Sequence, residues 1–253
     1  MISRRGFLTF GLTLAGGLFF PALKLPQCAS FAQFFFAQIK YRGGEWDPNP
    51  QFVEAIVEEL ELRTSIKALP ERRIVNLGDP NLFFCPFLYI AGRYEFEPFT
   101  AQEREILRRF LSHGGFLFAE DTMGARGFGF DRAFNREIKE IFPDHPLKRL
   151  PSDHSVYRSF YLIDSVGGRQ RVNPFLEGVV LDNWTPVIYC QNDLSGAWER
   201  DKFGQWVHEC PPGGEPQRSS AFKAGINIIV YSLTSDYKKD LVHHPFIQRR
   251  QNR

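Results

Sequence analysis

Two acidic residues, Glu120 and Asp121, directly follow an unbroken apolar run at 116–119 that is typical of a buried strand. In open α/β sheets, ligands bind outside the carboxyl ends of the strands. A carboxylate at that place can act as a general base or as a cation ligand. Because side chains alternate along a strand, we expect the two carboxylates to point to opposite faces. The alternative is structural, with one carboxylate capping the next loop and the other solvated.

Further polar residues could converge on these carboxylates, namely Asp131, His154, Asn192 and Asp193. Asn192 and Asp193 directly follow a second apolar run at 187–190, again at the carboxyl end of a predicted strand. Convergence of Asp121, His154 and Asp193 as catalytic groups, with Glu120, Asp131 and Asn192 binding ligand, would form a hydrolase site. The alternatives are a turn residue for His154 and an Asx-turn for Asn192 and Asp193.

A third candidate is an anion site at Gly213, Gly214 and Arg218, where free N–H groups at a helix start could join a guanidinium. The alternative is an ordinary helix start in which glycine is chosen for its φ freedom.

The cysteines do not predict nucleophilic catalysis. A glutaminase needs a Cys on a sharp turn after a strand, and none of Cys85, Cys190 and Cys210 has glycines around it in that pattern. Cys190 and Cys210 could instead form a disulfide outside the cytoplasm, while Cys85 resembles a small apolar core residue. No metal motif occurs, and His243-His244 has no further ligands nearby, so we predict no metal site and name no cofactor.

Alternating strands and helices position these residues. Apolar runs predict strands at 38–41, 74–77, 87–91, 116–119 and 187–190. Helical spacing predicts helices from an Asn49 cap to Arg63, from a Thr100–Glu103 capping box to Gly114, from an Asp131 cap to Phe142, and from Gly213 to about Leu233. Residues 144–174 look irregular. This alternation predicts an α/β fold with a mostly parallel sheet and helices on both faces.

The first thirty residues have the features of a signal peptide. Arg4-Arg5, followed by Phe7-Leu8 and a mildly apolar run, resembles a twin-arginine export signal. We predict a signal peptide over 1–32, a domain over 37–234, a polar basic tail over 235–253, and a periplasmic location. The formal net charge of only +2 and the absence of a basic stripe exclude nucleic acid as a partner. Membrane contact is expected only through the signal segment, if it is retained.

Many short runs resemble one bacterial family, DUF4159, in the right order. They are 38–48, 62–65, 86–92, 114–121, 130–134, 153–154 with 160–161, 192–194, 213–218 and 225–228. The resemblance implies a flavodoxin-like, class I glutamine amidotransferase-like fold without an assigned activity. Relatives that carry the domain beside von Willebrand A-like modules imply assembly or binding.

Three functions therefore stay open. We favour a non-catalytic binding or assembly module with an unidentified protein or small-molecule partner. The alternative is a carboxylate- or metal-dependent hydrolase. A weaker idea is carbohydrate binding on exposed Trp46, Trp184 or Trp198.

Overall fold

Seven strands form one sheet. They are β1 (Ala37–Ile39), β2 (Arg73–Val75), β3 (Phe87–Gly92), β4 (Phe116–Asp121), β5 (Lys148–Arg149), β6 (Glu177–Leu181) and β7 (Trp184–Cys190). This computed structural model describes residues 33–85 and 87–235. The predicted signal peptide and residues 236–253 of the predicted tail lie outside the described residues. The described residues form one compact unit.

The sheet has the order β2-β1-β3-β4-β7-β6-β5. The first five strands in this order, β2, β1, β3, β4 and β7, run parallel to one another. Strand β6 pairs antiparallel with β7, and β5 pairs antiparallel with β6. The α/β fold with a mostly parallel sheet is therefore confirmed, and the flavodoxin-like arrangement is compatible with it. The strands predicted at 38–41, 74–77, 87–91, 116–119 and 187–190 correspond to β1, β2, β3, β4 and β7.

Within the described part of the chain, five α-helices cover the sheet: α1 (Phe52–Arg63), α2 (Ala101–Ser112), α3 (Gly129–Ile141), α4 (Leu194–Trp198) and α5 (Gly214–Ser235). One core lies between the sheet and α1, α4 and α5, and a second core lies between the sheet and α2 and α3. Helices thus lie on both sides of the parallel sheet, and α4, whose five residues are all buried, lies inside the first core. No helix among the described residues is long and apolar enough to cross a membrane.

Local chemistry sets the ends of α2 as predicted. The Thr100 side chain accepts from the Glu103 N–H, and the Glu103 carboxylate accepts from the Thr100 N–H, which completes the capping box. The helix ends at Ser112, and Gly114 follows with a φ of +106° that other residues rarely adopt.

Two predicted caps are wrong. Helix α1 begins at Phe52 rather than after Asn49, and helix α3 begins at Gly129, which places Asp131 in its first turn. Both side chains form hydrogen bonds with residues far away in the sequence, Asn49 with Asp193 and Asp131 with Tyr189. A polar residue before an apolar helix predicts a cap only when no stronger distant partner competes for it.

Residues 144–174 are mostly irregular, as predicted, but they include β5 and one 3₁₀ turn at Ser155–Arg158. Strand β6 was not predicted. It pairs antiparallel with β7 across Asp182 and Asn183, and Asp182 has a φ of +51°. An Asp-Asn pair between apolar runs is a hairpin signal that sequence analysis could have used.

Candidate functional site

Strand β4 sends its last two carboxylates to opposite faces of the sheet, as alternation requires. Glu120 lies on the face of α1, α4 and α5, where the Tyr89 hydroxyl donates to its Oε2 over 2.8 Å. Asp121 lies on the face of α2 and α3, beside Gln191 and Asp131. The carboxyl edge of the sheet therefore holds two acidic sites rather than one.

A sharp turn follows β7 and leads directly into α4. Asp193 has φ 55° and ψ 66°, the left-handed conformation, and its side chain caps α4 by accepting from the Gly196 N–H over 2.9 Å. Aspartate tolerates this conformation because its short side chain bonds to the local backbone. A strand, a strained residue and a short helix thus follow one another in the geometry of a nucleophile elbow.

The Asp193 carboxylate is fully buried and fully partnered. It forms an ion pair with Nε of Arg169, and Nδ2 of Asn49 donates to its Oδ1 over 2.7 Å. Arg169 also donates through Nη2 to the Thr122 carbonyl over 2.9 Å, which fixes the guanidinium between β4 and β7. These contacts satisfy a buried charge that would otherwise be costly.

Glu120 sits against the start of α4. Its carboxylate accepts from the N–H groups of Leu194 and Ser195, the latter at 3.2 Å to Oε2. Burial, and secondarily the nearby Asp193 charge, raise the pKa of Glu120 to about 7, although the hydrogen bonds oppose the shift. Glu120 therefore changes protonation near neutral pH inside a closed network.

On the opposite face, a glycine-rich loop wraps around Asp121 and Asp131. Asp121 accepts from the N–H groups of Met123 and Ala125 at 3.0 and 3.1 Å. Asp131 accepts from the Gly127 N–H over 2.6 Å and from the Tyr189 hydroxyl over 2.7 Å.

The two carboxylates on this face share the Gln191 amide, which lies 3.2 Å from Asp131 and 3.4 Å from Asp121. Burial is the main cause that raises the pKa of Asp121 to about 6, with a smaller contribution from the Asp131 charge. Both residues are buried, so this second site also consists of internal hydrogen bonds.

His154 lies at the other end of β7. Its Nε2 is 3.0 Å from Oγ1 of Thr185, near the start of the strand, and its ring contacts Tyr231 of α5. Its Nδ1 accepts from the Val156 N–H, so the neutral ring carries its proton on Nε2. The structure therefore places His154 on the opposite face from Asp121 and does not bring it to either acidic site.

Asn192 ties a distant segment to the end of β7. Its Oδ1 accepts from the N–H groups of Val172 and Asn173, both at 2.9 Å, and its Nδ2 donates to the Val166 carbonyl. The side chain is fully buried, so its polar atoms serve the backbone of the loop that carries Arg169.

The groups of the predicted anion site are engaged within the protein. The Gly213 N–H bonds to Gln217, and the Gly214 N–H bonds to the Cys210 carbonyl over 2.7 Å. Arg218 is buried, and its guanidinium donates to the carbonyls of Ala197 and His208. This arginine therefore joins α4 and the loop after it to α5.

Three further expectations concern thiols, tryptophans and metals. Cys85, Cys190 and Cys210 are free and buried, so the disulfide left open for Cys190 and Cys210 is not formed. Trp198 is buried, whereas Trp46 and Trp184 are partly exposed, so only the latter two could stack on a sugar. Within residues 33–85 and 87–235, no cluster of three or more His, Cys, Asp or Glu side chains could hold a metal ion.

Three residues of these networks were not predicted as part of the site: Asn49 and Arg169, which contact Asp193, and Tyr89, which contacts Glu120. Tyr89 carried a usable signal, because a tyrosine inside a buried apolar strand needs a partner for its hydroxyl. Arg169 lies in the irregular segment, where no periodicity indicates what it contacts.

A protein-family model described as "Domain of unknown function (DUF4159)" matches residues 35–233. No curated protein matches the chain.

Proposed function

The chain belongs to the DUF4159 family, a domain family of unknown function, so we propose its function from the site itself. We propose that it is an exported, periplasmic module that binds or assembles with a partner and does not turn over a substrate. Membership of the DUF4159 family supports this role only because no activity is assigned to that family.

The geometry of Asp193 carries the proposal. In hydrolases with a strand–turn–helix elbow, the residue in the strained conformation presents a nucleophile to substrate. Here that residue turns its carboxylate inward onto Arg169, Asn49 and Gly196, and it is fully buried. A group without exposed surface and with its lone pairs engaged is suited to holding the edge of the sheet rigid.

The hydrolase alternative requires Asp121, His154 and Asp193 to lie within hydrogen-bonding reach of one substrate. Asp121 and Asp193 belong to separate networks on opposite faces, and His154 is at the far end of β7. The described residues therefore offer no single site at which these three groups could act together.

Turnover assays test the proposal. We expect the full chain to hydrolyse chromogenic ester, amide and phosphate substrates no faster than its Asp121→Asn and Asp193→Asn variants, because neither carboxylate reaches solvent. Asp144→Asn is the matched control, since Asp144 is exposed. The opposite outcome is turnover that is lost in Asp121→Asn or Asp193→Asn but retained in Asp144→Asn. If near-UV circular dichroism shows that the inactive variant is folded, this outcome would identify the protein as an enzyme and contradict the proposal.

Export rests on the Arg4-Arg5 pair. We expect Arg4→Lys with Arg5→Lys to leave most of the protein in the cytoplasm, because the export machinery reads the guanidinium pair rather than charge alone. Cell fractionation and immunoblotting measure the distribution. The control makes the same change at two exposed arginines of the domain, Arg63→Lys with Arg158→Lys. Export of the first variant at the wild-type level would exclude the twin-arginine route.

A further inference from the structure

A cavity of about 160 Å³ lies beside the edge strand β5, away from both acidic sites. Three parts of the irregular segment enclose it, and its lining comprises Arg149, Leu150, Ser152, Tyr157, Ile163, Asp164, Pro174 and Phe175. Leu150, Tyr157 and Ile163 are buried, so the floor of the cavity is largely apolar. The residues that line the cavity are therefore different from those that form the two acidic sites.

Neither charged group at the rim of the cavity forms an ion pair with a described residue. The Arg149 guanidinium stacks on the Phe175 ring at 4.3 Å, and among the described residues it has no ion pair. Asp164 lines the same cavity, is exposed and likewise has no hydrogen bond or ion pair with any described residue. A cation and an anion that share one cavity without pairing can each receive a group of opposite charge from a ligand.

A third polar group lies deeper. The Tyr157 hydroxyl accepts from the Leu176 N–H over 2.8 Å, and no described residue accepts its own proton. Only 5% of Tyr157 is exposed, and this residue contributes to the lining of the cavity. Buried hydroxyls normally find an acceptor, and a ligand oxygen can supply one here.

We propose that this cavity binds a zwitterionic α-amino acid with a small apolar side chain. The carboxylate pairs with Arg149 and accepts from Tyr157, and the ammonium pairs with Asp164. The side chain packs on Leu150, Ile163 and Phe175. At roughly 30 Å³ per water-sized group, 160 Å³ accommodates about five or six heavy atoms, which matches alanine and leaves part of valine at the open mouth.

L-Valine is the probe, and isothermal titration calorimetry on the full chain is the measurement. We expect a dissociation constant between about 10 μM and 1 mM, the range for a ligand of so few atoms. Arg149→Met and Asp164→Asn should each weaken binding by about tenfold or more. Arg158→Met, at an exposed arginine outside the cavity lining, should leave it unchanged.

Two truncated probes separate the charges. Isovalerate lacks the ammonium and isobutylamine lacks the carboxylate, and each should bind about tenfold or more weakly than L-valine. Absence of saturable L-valine binding, equal binding by isovalerate, or equal loss in Arg158→Met would overturn the assignment. The cavity is separate from Asp193, so such a failure leaves the proposal of a non-catalytic module standing.

Discussion

The variant Arg169→Met is expected to lower the free energy of unfolding by about 3–5 kcal/mol, the cost of leaving a buried charge without its counterion. Asp193 is fully buried, and Arg169 is its cationic partner. Methionine keeps the apolar stem, so the loss reports on the guanidinium and its bond to the Thr122 carbonyl. Urea denaturation with linear extrapolation measures the change.

Two companion variants make the result specific. Arg171→Met changes an exposed arginine two positions away and should shift stability by no more than about 0.5 kcal/mol. Adding Asp193→Asn to Arg169→Met should recover part of the loss, since the charge is removed along with its partner. Equal destabilisation by Arg169→Met and Arg171→Met would show that the buried ion pair contributes nothing beyond surface packing.

Stability should fall as pH rises from about 4.5 to above 7, because Glu120 is easier to bury when protonated. The folded-state pKa of Glu120, about 7, lies above its usual value of 4.5. Its contribution is therefore complete below pH 4.5 and is lost as pH passes through 7. Two and a half pKa units correspond to about 3 kcal/mol of unfolding free energy, which urea denaturation between pH 4 and 8 measures.

Glu120→Gln isolates this contribution. Glutamine stays neutral, so the variant should lose most of the pH dependence between 6 and 8. It should retain the part below pH 6 that comes from Asp121, whose pKa is raised from 3.8 to about 6 and whose effect has the same sign. A variant whose stability falls across pH 6–8 as steeply as the wild type would assign the titration to another group.

Elements with strong local signals could be predicted. The α2 capping box, the Gly114 stop and the apolar runs of β3 and β4 each follow from a few neighbouring residues, and all lie where the sequence indicates. The parallel sheet then follows from the alternation of these elements. The five-residue α4 has too few turns for a period, so only its contacts define it.

The candidate site could be predicted only in part. The positions of Glu120 and Asp193 at strand ends follow from the fold, and so does their placement at one edge. The pairing of Asn49 with Asp193 spans 144 residues, and Glu120 bonds to the Leu194 N–H across 74. Such pairings depend on how the crossovers pack, which the residues around Asn49 do not encode.

These long separations along the chain determine the order in which the contacts of the site can form during synthesis. By residue 121 the nascent chain can already pair β1 with β2, and β3 with β1 and β4. Glu120 then has Tyr89 but lacks the N–H groups of Leu194 and Ser195, and Asn49 lacks Asp193. Long loops must close before these contacts contribute, so they form late. A chain released before residue 195 lacks α4 and α5, so Glu120 and Asn49 remain without these partners on a partly uncovered face of the sheet.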